Sequence, residues 1–173
     1  MHLTETPVLL LDIQATAAAS AGGSVFELGW CQYPVPEATR HLHTHLAETS
    51  AIEFPPRLMR LTGLTPEDLQ SGRPSLEIRD RLFTAAGAVA SAGAKEETVS
   101  CPVVVHYARF EAPYLCQLQR NGHAPAGLCL DLICTHEITR RLLPGLPRKG
   151  LRAVAGYFGI DSGIPAKGVV EGF

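Results

Sequence analysis

The stretch Val-Leu-Leu-Leu-Asp-Ile-Gln-Ala-Thr, residues 8–16, leads an apolar strand directly into a carboxylate. Side chains two residues apart on a strand point to the same face, so Asp12 and Gln14 are expected to project together from the strand end. Two carboxylates in these places would form half of a metal cradle for phosphoryl transfer. Because position 14 carries an amide, the segment has the pattern of a nuclease with one charge missing. Taken alone, an ordinary strand that ends in Asp is the alternative.

The bulk properties describe one globular domain without an overall basic character. The chain has 173 residues, 46% of them hydrophobic, and a formal net charge of -2. This length is enough to bury a core, and any nucleic-acid binding must come from a local site. None of the five cysteines is in Cys-x-x-Cys spacing, which argues against a structural zinc site. With no apolar leader or membrane-length run, we predict a cytoplasmic protein that makes no membrane contact.

The order of predicted elements indicates a mixed α/β fold. Strands in meander order are expected first, then helices, then alternating strands and helices. One helix is expected to begin at Thr65 as N-cap, and a longer one at Ser75 that runs through Phe83. Residues 85–100 are interpreted as a frayed helix end followed by an exposed loop. Asp131 is interpreted as a helix N-cap. The predicted strands are 8–12, 25–33, 40–46, 102–105 and 128–130, and the later helices are 110–121, 132–143 and 150–158.

Other polar groups have both a functional and an ordinary interpretation. His41, His43 and His45 share one strand face and could bind a metal, but a solvated strand face is favoured because no further ligand is near in sequence. Cys129 and Cys134 are interpreted as buried thiols. A basic stretch could be a phosphate-contacting rim or a solvated helix face; its members are Arg140, Arg141, Arg148, Lys149 and Arg152.

Glu111 follows a second apolar strand, at 102–105, and is expected in the first turn of the next helix. A helix-start acid is favourable there because of the helix dipole. The functional interpretation is a metal ligand that is brought beside Asp12 when the two strands pair.

Three segments in this order resemble the DnaQ-like family of 3′–5′ exonucleases, of the polymerase proofreading-subunit type. Residues 10–16 are similar to the family's Asp-x-Glu-Thr motif, and residues 60–69, Arg-Leu-Thr-Gly-Leu-Thr-Pro-Glu-Asp-Leu, are similar to its Leu-Thr-Gly-Ile-Thr segment. Residues 106–111, His-Tyr-Ala-Arg-Phe-Glu, are similar to His-Asn-Ala-x-Phe-Asp. The resemblance covers nearly the whole chain as one domain, 1–173, whose final helix is expected to be truncated or missing. It implies an RNase H-like mixed sheet, with three antiparallel strands and then parallel strands, flanked by helices.

The resemblance also implies a site of four acidic residues that hold two divalent ions, Mg²⁺ or Mn²⁺, for phosphodiester hydrolysis. Carried over by position, Asp12 keeps the first carboxylate, Gln14 replaces the second and Glu111 the third, while Glu171 takes the fourth place. Ala166 stands where the family has its general-base histidine. Asp12 and Glu111 are the expected metal ligands, and binding is expected to be weak or absent because of Gln14.

The implied partner is the 3′ end of single-stranded DNA or RNA, with a further domain or a polymerase as a second partner. The function predicted is a 3′–5′ exonuclease-family domain with a degenerate active site. The alternative is an inactive nucleic-acid-binding or protein-docking module of the same fold. The expected nucleic-acid contacts are Ala15, Thr16, His106, Tyr107 and Phe110.

Overall fold

The helices and strands follow the predicted order along the chain. A computed structural model describes residues 6–34, 43–47, 54–93, 99–120 and 127–160. Its strands are β1 (Val8–Ala15), β2 (Val25–Tyr33), β3 (His43–Leu46), β4 (Val99–Val105) and β5 (Leu128–Cys134). Its helices are α1 (Pro56–Thr62), α2 (Pro66–Gln70), α3 (Ser75–Gly93), α4 (Ala108–Arg120), α5 (Thr135–Leu142) and α6 (Leu151–Tyr157).

All five strands join one sheet in the order β3-β2-β1-β4-β5. The pairs β1–β2 and β2–β3 are antiparallel, whereas β1–β4 and β4–β5 are parallel. This confirms the RNase H-like mixed sheet with antiparallel strands first. The carboxyl end of β1 therefore lies beside the end of β4, where α4 begins.

One face of the sheet forms the core, and the other carries the polar end of β1. Along β1, buried Leu9, Leu11 and Ile13 alternate with exposed positions that include Asp12 and Gln14. Helices α3 and α4 pack against the buried face, because their apolar side chains belong to the same core cluster. Their buried members are Ile78, Leu82, Ala86, Val89, Ala90, Tyr114 and Leu115.

Helix α3 continues through the segment that was expected to fray. It ends at Gly93 instead of near Phe83, and Ala86, Val89 and Ala90 are buried in the core. Alanine has the highest helix propensity, and its small side chain allows a helix to lie close to a sheet. The prediction of a frayed helix end after Phe83 is therefore wrong, since the small residues that follow belong to a packed helix.

The interpretation of Asp131 as a helix N-cap is also wrong. Asp131 lies in the middle of β5, opposite Pro102 of β4, and one carboxylate oxygen accepts a hydrogen bond from the Ser100 hydroxyl. Pairing with β4 extends the strand to Cys134, which is the N-cap residue of α5. The short strand 128–130 and the helix start at 132 are corrected accordingly.

The predicted start of α2 is confirmed. The Thr65 hydroxyl accepts a hydrogen bond from the Asp68 amide at 3.2 Å, and the Asp68 carboxylate accepts one from the Thr65 amide at 2.7 Å. Together these bonds form a capping box, which satisfies two amides that the helix itself leaves without acceptors.

Two surface assignments are wrong. The His45 ring is half-buried and packs against Trp30, with 5.0 Å between ring centroids, so it does not lie on a solvated strand face. His41 lies outside the described residues. Cys129 is exposed and its thiol donates to Asp131, whereas Cys134 is half-buried.

Two bulk expectations can be compared with the structure. The five cysteines all lie in the described part of the chain and form no disulfide. None of the helices in that part is long and apolar enough to cross a lipid bilayer.

Candidate functional site

Asp12 and Gln14 lie side by side on the open face of the sheet, at the carboxyl end of β1. The Gln14 amide Nε2 donates a hydrogen bond to Asp12 Oδ2 at 2.7 Å, and both side chains are exposed. The i, i+2 spacing therefore brings the two groups together. This hydrogen bond occupies one of the two carboxylate oxygens of Asp12.

Glu111 lies in the first turn of α4 and is almost fully buried. Its side chain is 3% exposed, and Oε2 has no hydrogen-bond partner among the described residues. Burial, with the charge of Asp12 as a second cause, raises the pKa of Glu111 to about 8. The pairing of β1 with β4 places the start of α4 near Asp12, so the charges of Asp12 and Glu111 act on each other.

Glu27 is an acidic residue of this site that the sequence analysis missed. It lies on β2 directly opposite Gln14, so both side chains point to the face that carries Asp12. Glu27 is 9% exposed, and burial together with the charge of Asp12 raises its pKa. The available signal was a charged residue within an apolar strand, but the strand register was needed to place it beside position 14.

His106 lies at the end of β4 and connects it to two other segments. Its Nδ1 lies 2.9 Å from the Thr135 hydroxyl, and its Nε2 lies 3.1 Å from the Lys149 carbonyl. Burial lowers the pKa of His106, which favours the neutral ring. Since both ring nitrogens are engaged, His106 positions the start of α5 and the segment before α6 next to the carboxylates.

Tyr107 is the one exposed side chain among the five predicted nucleic-acid contacts. It is 49% exposed, and its ring meets His136 edge-on with 4.9 Å between centroids. Both residues line a cavity of about 190 Å³ between the starts of α4 and α5. Its other lining residues are Ala108, Arg109, Cys134, Glu137 and Arg140.

Two arginines give this cavity a cationic rim. Arg140 pairs with Glu137 at 3.0 Å, whereas Arg109 makes no hydrogen bond or ion pair with any described residue. Elsewhere in the basic stretch, the Lys149 ammonium donates to the Leu146 carbonyl at 2.7 Å and so ties down the preceding loop. Arg109, which was not part of that stretch, and Arg140 are thus the cations next to Tyr107.

The other predicted contact residues support the site from within the fold. Thr16 accepts a hydrogen bond from the Ser24 amide at 3.0 Å and closes the β1–β2 connection. Phe110 is half-buried and packs against Tyr114, with 5.5 Å between ring centroids. Ala15 is half-buried against the core. Glu171 and Ala166 lie outside the described residues.

The loop after β1 is fixed to α4 by a close contact. The Tyr114 hydroxyl donates to the Ala17 carbonyl, and a Cβ at Gly23 would collide with both of these groups. Glycine is therefore required at position 23 for the loop to approach Tyr114 this closely. The contact fixes the chain that follows Asp12 and Gln14 relative to α4.

The acidic residues of this site have the charge that a divalent cation requires, but their positions do not form a metal-binding group. Within the described ranges, no three His, Cys, Asp or Glu side chains are grouped so that they could hold a metal ion. However, carboxylate oxygens such as those of Asp12, Glu27 and Glu111 are the type of ligand that Mg²⁺ and Mn²⁺ prefer, and Glu111 Oε2 has no hydrogen-bond partner among the described residues.

The fold is similar to those of solved DNA exonucleases. E. coli exonuclease I, in a zinc-bound form of its complex with single-stranded DNA, superposes with a TM-score of 0.67 at 14% identity, over 91% of this chain and 36% of that one. Its complex with a dA16 oligonucleotide gives the same TM-score and identity, over 91% and 37%. Exonuclease X, in complex with 5′ overhanging duplex DNA, gives 0.61 at 16%, over 92% and 77%.

These similarities concern the fold. This chain spans little more than a third of the length of exonuclease I. No protein-family model matches the sequence, and no curated protein matches it either.

Proposed function

We propose that this chain is a domain of the DnaQ-like 3′–5′ exonuclease superfamily that binds the 3′ end of single-stranded DNA and hydrolyses it weakly or not at all. The observation that carries the proposal is the position of the Tyr107 cavity beside the acidic groups. Tyr107 directly precedes α4, and its carbonyl accepts a hydrogen bond from the Glu111 amide at 3.3 Å. Strand β4, which leads to Tyr107, pairs with β1, which carries Asp12. The stacking surface and the two arginines therefore lie beside the acidic residues.

Binding in this proposal depends on stacking and on local charge. An exposed aromatic ring can stack on any base, which contributes ~1–3 kcal/mol per base. Arg109 and Arg140 provide positive charge for the phosphates next to the stacked base, while the chain as a whole has a net charge of -2. The interaction is therefore expected to be confined to this cavity and the neighbouring strand ends.

Hydrolysis in this proposal is limited by the missing groups. Asp12 and Glu111 would hold Mg²⁺ or Mn²⁺, and the ion would activate a water for attack on the phosphodiester. Gln14 contributes no charge, and Ala166 replaces the histidine that the family uses as general base. Loss of a general base typically lowers the rate by ~10²–10⁴-fold.

The structural comparisons support the substrate class through proteins of the same fold. Exonuclease I has been solved with single-stranded oligonucleotides, and exonuclease X with duplex DNA that has a 5′ overhang. Because this chain spans little more than a third of exonuclease I, we also propose that it acts with a further domain or a polymerase partner. The absence of disulfides among the five cysteines is consistent with the cytoplasm as its location.

A competition experiment tests whether the chain recognises a 3′ end. A 5′-labelled linear single strand is bound in EDTA and displaced by an unlabelled linear strand or by a closed circular strand of the same composition. The linear competitor should displace the label at much lower concentration than the circle. Equal competition would contradict recognition of the end.

A pair of tyrosine variants tests the Tyr107 surface. Tyr107→Ala should weaken binding by about tenfold, corresponding to one lost stacking contact. Tyr33→Ala is the matched control, since Tyr33 is also exposed but lies opposite Val8 at the other end of the β1–β2 pair. Equal losses in the two variants would rule out a specific role for Tyr107.

A further inference from the structure

The Tyr107 cavity lies between the starts of two helices, α4 and α5. The Ala108 amide donates a hydrogen bond to Cys134 Sγ at 3.5 Å, which joins the two helix starts. No side chain caps α5, since Cys134, its N-cap residue, makes no capping hydrogen bond. Amides in the first turn of a helix have no acceptor within that helix, so both starts contribute partial positive charge to the cavity.

Two guanidinium groups add full positive charges to the cavity lining. Arg109 is exposed and has no ion-pair partner among the described residues, so its guanidinium is available to a ligand. Arg140 contacts Glu137 through one nitrogen only, with Nη1 at 3.0 Å from Oε1 and 3.3 Å from Oε2. Its other N–H groups are not used by Glu137. The cationic character therefore rests on these two side chains and not on the helix starts alone.

The sum of these charges matches a dianion. Arg109 and Arg140 each contribute one positive charge and Glu137 one negative charge, while each helix start adds roughly half a positive charge. The total is thus about two positive charges. A phosphodiester within a strand carries a single negative charge, whereas a phosphate monoester carries about 1.5 to 2 at neutral pH. The cavity therefore suits a monoester better than a diester.

The size of the cavity favours the same ligand. Its volume of about 190 Å³ equals the liquid volume of roughly six water molecules and is below the usual range of small-molecule pockets. A terminal phosphate group fits in this space, but a strand that enters and leaves the cavity needs more room. A base can still stack on the exposed ring of Tyr107 while the terminal phosphate lies in the cavity.

The contacts around the cavity hold its two helix starts in place without a ligand. The Thr135 hydroxyl, in the first turn of α5, donates to the Val105 carbonyl at 3.1 Å and lies 2.9 Å from His106 Nδ1. These contacts tie α5 to the end of β4, and α4 follows β4 almost directly. Because little ordering is needed on binding, little of the binding energy is lost to it.

We propose that the Tyr107 cavity binds a phosphate monoester at the end of a nucleic-acid strand. Within the proposed function, on which this inference rests, the ligand is a 3′-phosphorylated single strand whose last base stacks on Tyr107. The same monoester occurs at a 5′-phosphorylated end, and the experiment separates these two sources. The competing explanation is that the arginines attract internal phosphodiesters without regard to the end group.

Competition between strands with different ends tests the proposal. A labelled single strand is bound to the full chain in EDTA and displaced by unlabelled strands of one sequence, which carry a 3′-phosphate, a 5′-phosphate or no terminal phosphate. The 3′-phosphate strand should compete at least about tenfold more strongly than the unphosphorylated one, the gain expected from one charge-assisted hydrogen bond. Equal competition by all three strands would overturn the proposal. Stronger competition by the 5′-phosphate strand would support a monoester site but contradict the 3′ end of the proposed function.

Charge variants of the cavity lining should change this preference in both directions. Arg109→Gln should reduce the advantage of the 3′-phosphate strand to about twofold or less. Glu137→Gln should increase the advantage, because it removes a negative charge and releases Arg140. The exposed Arg141 on α5 is not among the lining residues, so Arg141→Gln is the matched control and should leave the advantage unchanged.

The variants also give clear negative results. Equal losses in Arg109→Gln and Arg141→Gln would mean that general positive charge, and not this cavity, is responsible. Should Arg109→Gln not fold, Glu137→Gln decides the question, since an unchanged advantage in that variant contradicts the proposal.

A mononucleotide separates this inference from the proposed function. Thymidine 3′-monophosphate and thymidine are each titrated to millimolar concentration into the isotope-labelled full chain, and the amide resonances are followed by nuclear magnetic resonance. The monophosphate should shift the amides of Arg109, His136 and Glu137 saturably, whereas thymidine should not. This result does not require a preference for linear over circular strands, whose absence would contradict the proposed function alone. Unshifted amides at these three residues would overturn the monoester site.

Discussion

At the scale of single residues, the site contains one carboxylate that accepts a hydrogen bond and one that is buried with an unpaired oxygen. Asp12 receives a hydrogen bond from Gln14, whereas Glu111 Oε2 receives none from the described residues although it is buried. The energetic cost of burying a charged carboxylate is relieved when the acid is protonated or when it binds a cation. Burial raises the pKa of Glu111 to about 8, which favours the protonated acid in the metal-free chain at neutral pH and makes the stability depend on pH.

We expect the wild-type chain to lose stability relative to Glu111→Gln as the pH rises from about 4.5 to about 8. In the unfolded chain Glu111 ionises near 4.5, but in the folded chain its pKa is about 8. Because the folded pKa is the higher one, the contribution of Glu111 to stability is complete below the unfolded pKa and is lost as the pH passes through the folded pKa. The difference in free energy of unfolding should reach up to about 4–5 kcal/mol.

Urea unfolding of both proteins in EDTA between pH 5 and pH 9 measures this difference. The comparison with Glu111→Gln is needed because His106, whose pKa is lowered, acts in the opposite direction. Its contribution is present at high pH and is lost as the pH falls below its unfolded value. Parallel stability curves for the two proteins would show that Glu111 does not hold a proton in the folded state.

Tyr114→Phe should destabilise the chain by about 1–2 kcal/mol, because it leaves the Ala17 carbonyl without its hydrogen bond in a part-buried contact. The exposed Tyr157 provides the control, and Tyr157→Phe should change the free energy of unfolding by less than about 0.5 kcal/mol. Chemical denaturation of the two variants gives both values. An unchanged free energy of unfolding for Tyr114→Phe would mean that the loop after β1 is not fixed through this hydroxyl.

At the scale of elements, helix α3 shows that a long run of small residues can form a packed helix. Half of the helix has the Ala, Gly and Ser composition of a linker, but it packs on the sheet through Ala86, Val89 and Ala90. Gly87 lies inside this half, and a Cβ built there meets no atom within 4 Å. Gly87 therefore lowers the stability of the helix through the conformational entropy of glycine, and no close packing contact requires a glycine at this position.

Gly87→Ala should stabilise the chain by about 0.5–1 kcal/mol, because alanine is favoured over glycine in a helix interior. The same change at Gly63 is the control, since Gly63 ends α1 with a positive φ of 74°, where alanine is strained. Gly63→Ala should therefore destabilise the chain. Thermal unfolding measures both variants, and no stabilisation by Gly87→Ala would contradict a helix that continues past residue 85.

The elements also show what the sequence could and could not predict. Runs of apolar residues located β1 and β2, and the Thr65 capping signal located α2, because these patterns are local. The ends of α3 and β5 were missed because packing on the sheet and pairing with β4 determine them. Glu27 was missed for the same reason: its place beside Gln14 depends on the strand register, which no local pattern encodes.

At the scale of the whole molecule, the core and the charged residues of the candidate site lie on opposite faces of the sheet. Helices α3 and α4 cover one face of the sheet and form the core, so the opposite face can carry buried charges near β1 without a continuous apolar layer. The proposed nucleic-acid contacts lie around the Tyr107 cavity, because the chain as a whole has a net charge of -2 and offers no overall attraction for phosphates. In this proposal, binding and hydrolysis depend on different residues, so either could be lost without the other.

We expect the pure chain to bind a single-stranded oligonucleotide but to shorten it slowly or not at all, even at high Mn²⁺. The resemblance puts the uncharged Gln14 in the place of the second carboxylate and Ala166 in the place of the general-base histidine. Loss of the general base alone lowers the rate by ~10²–10⁴-fold, whereas stacking on Tyr107 needs neither metal nor base. A 5′-labelled strand incubated with Mn²⁺ and resolved by length measures the chemistry, and its anisotropy in EDTA measures the binding. Asp12→Ala is the matched control, and it should leave the anisotropy unchanged. Processive shortening from the 3′ end that Asp12→Ala abolishes would establish an active exonuclease, in which another group takes the proton of the attacking water.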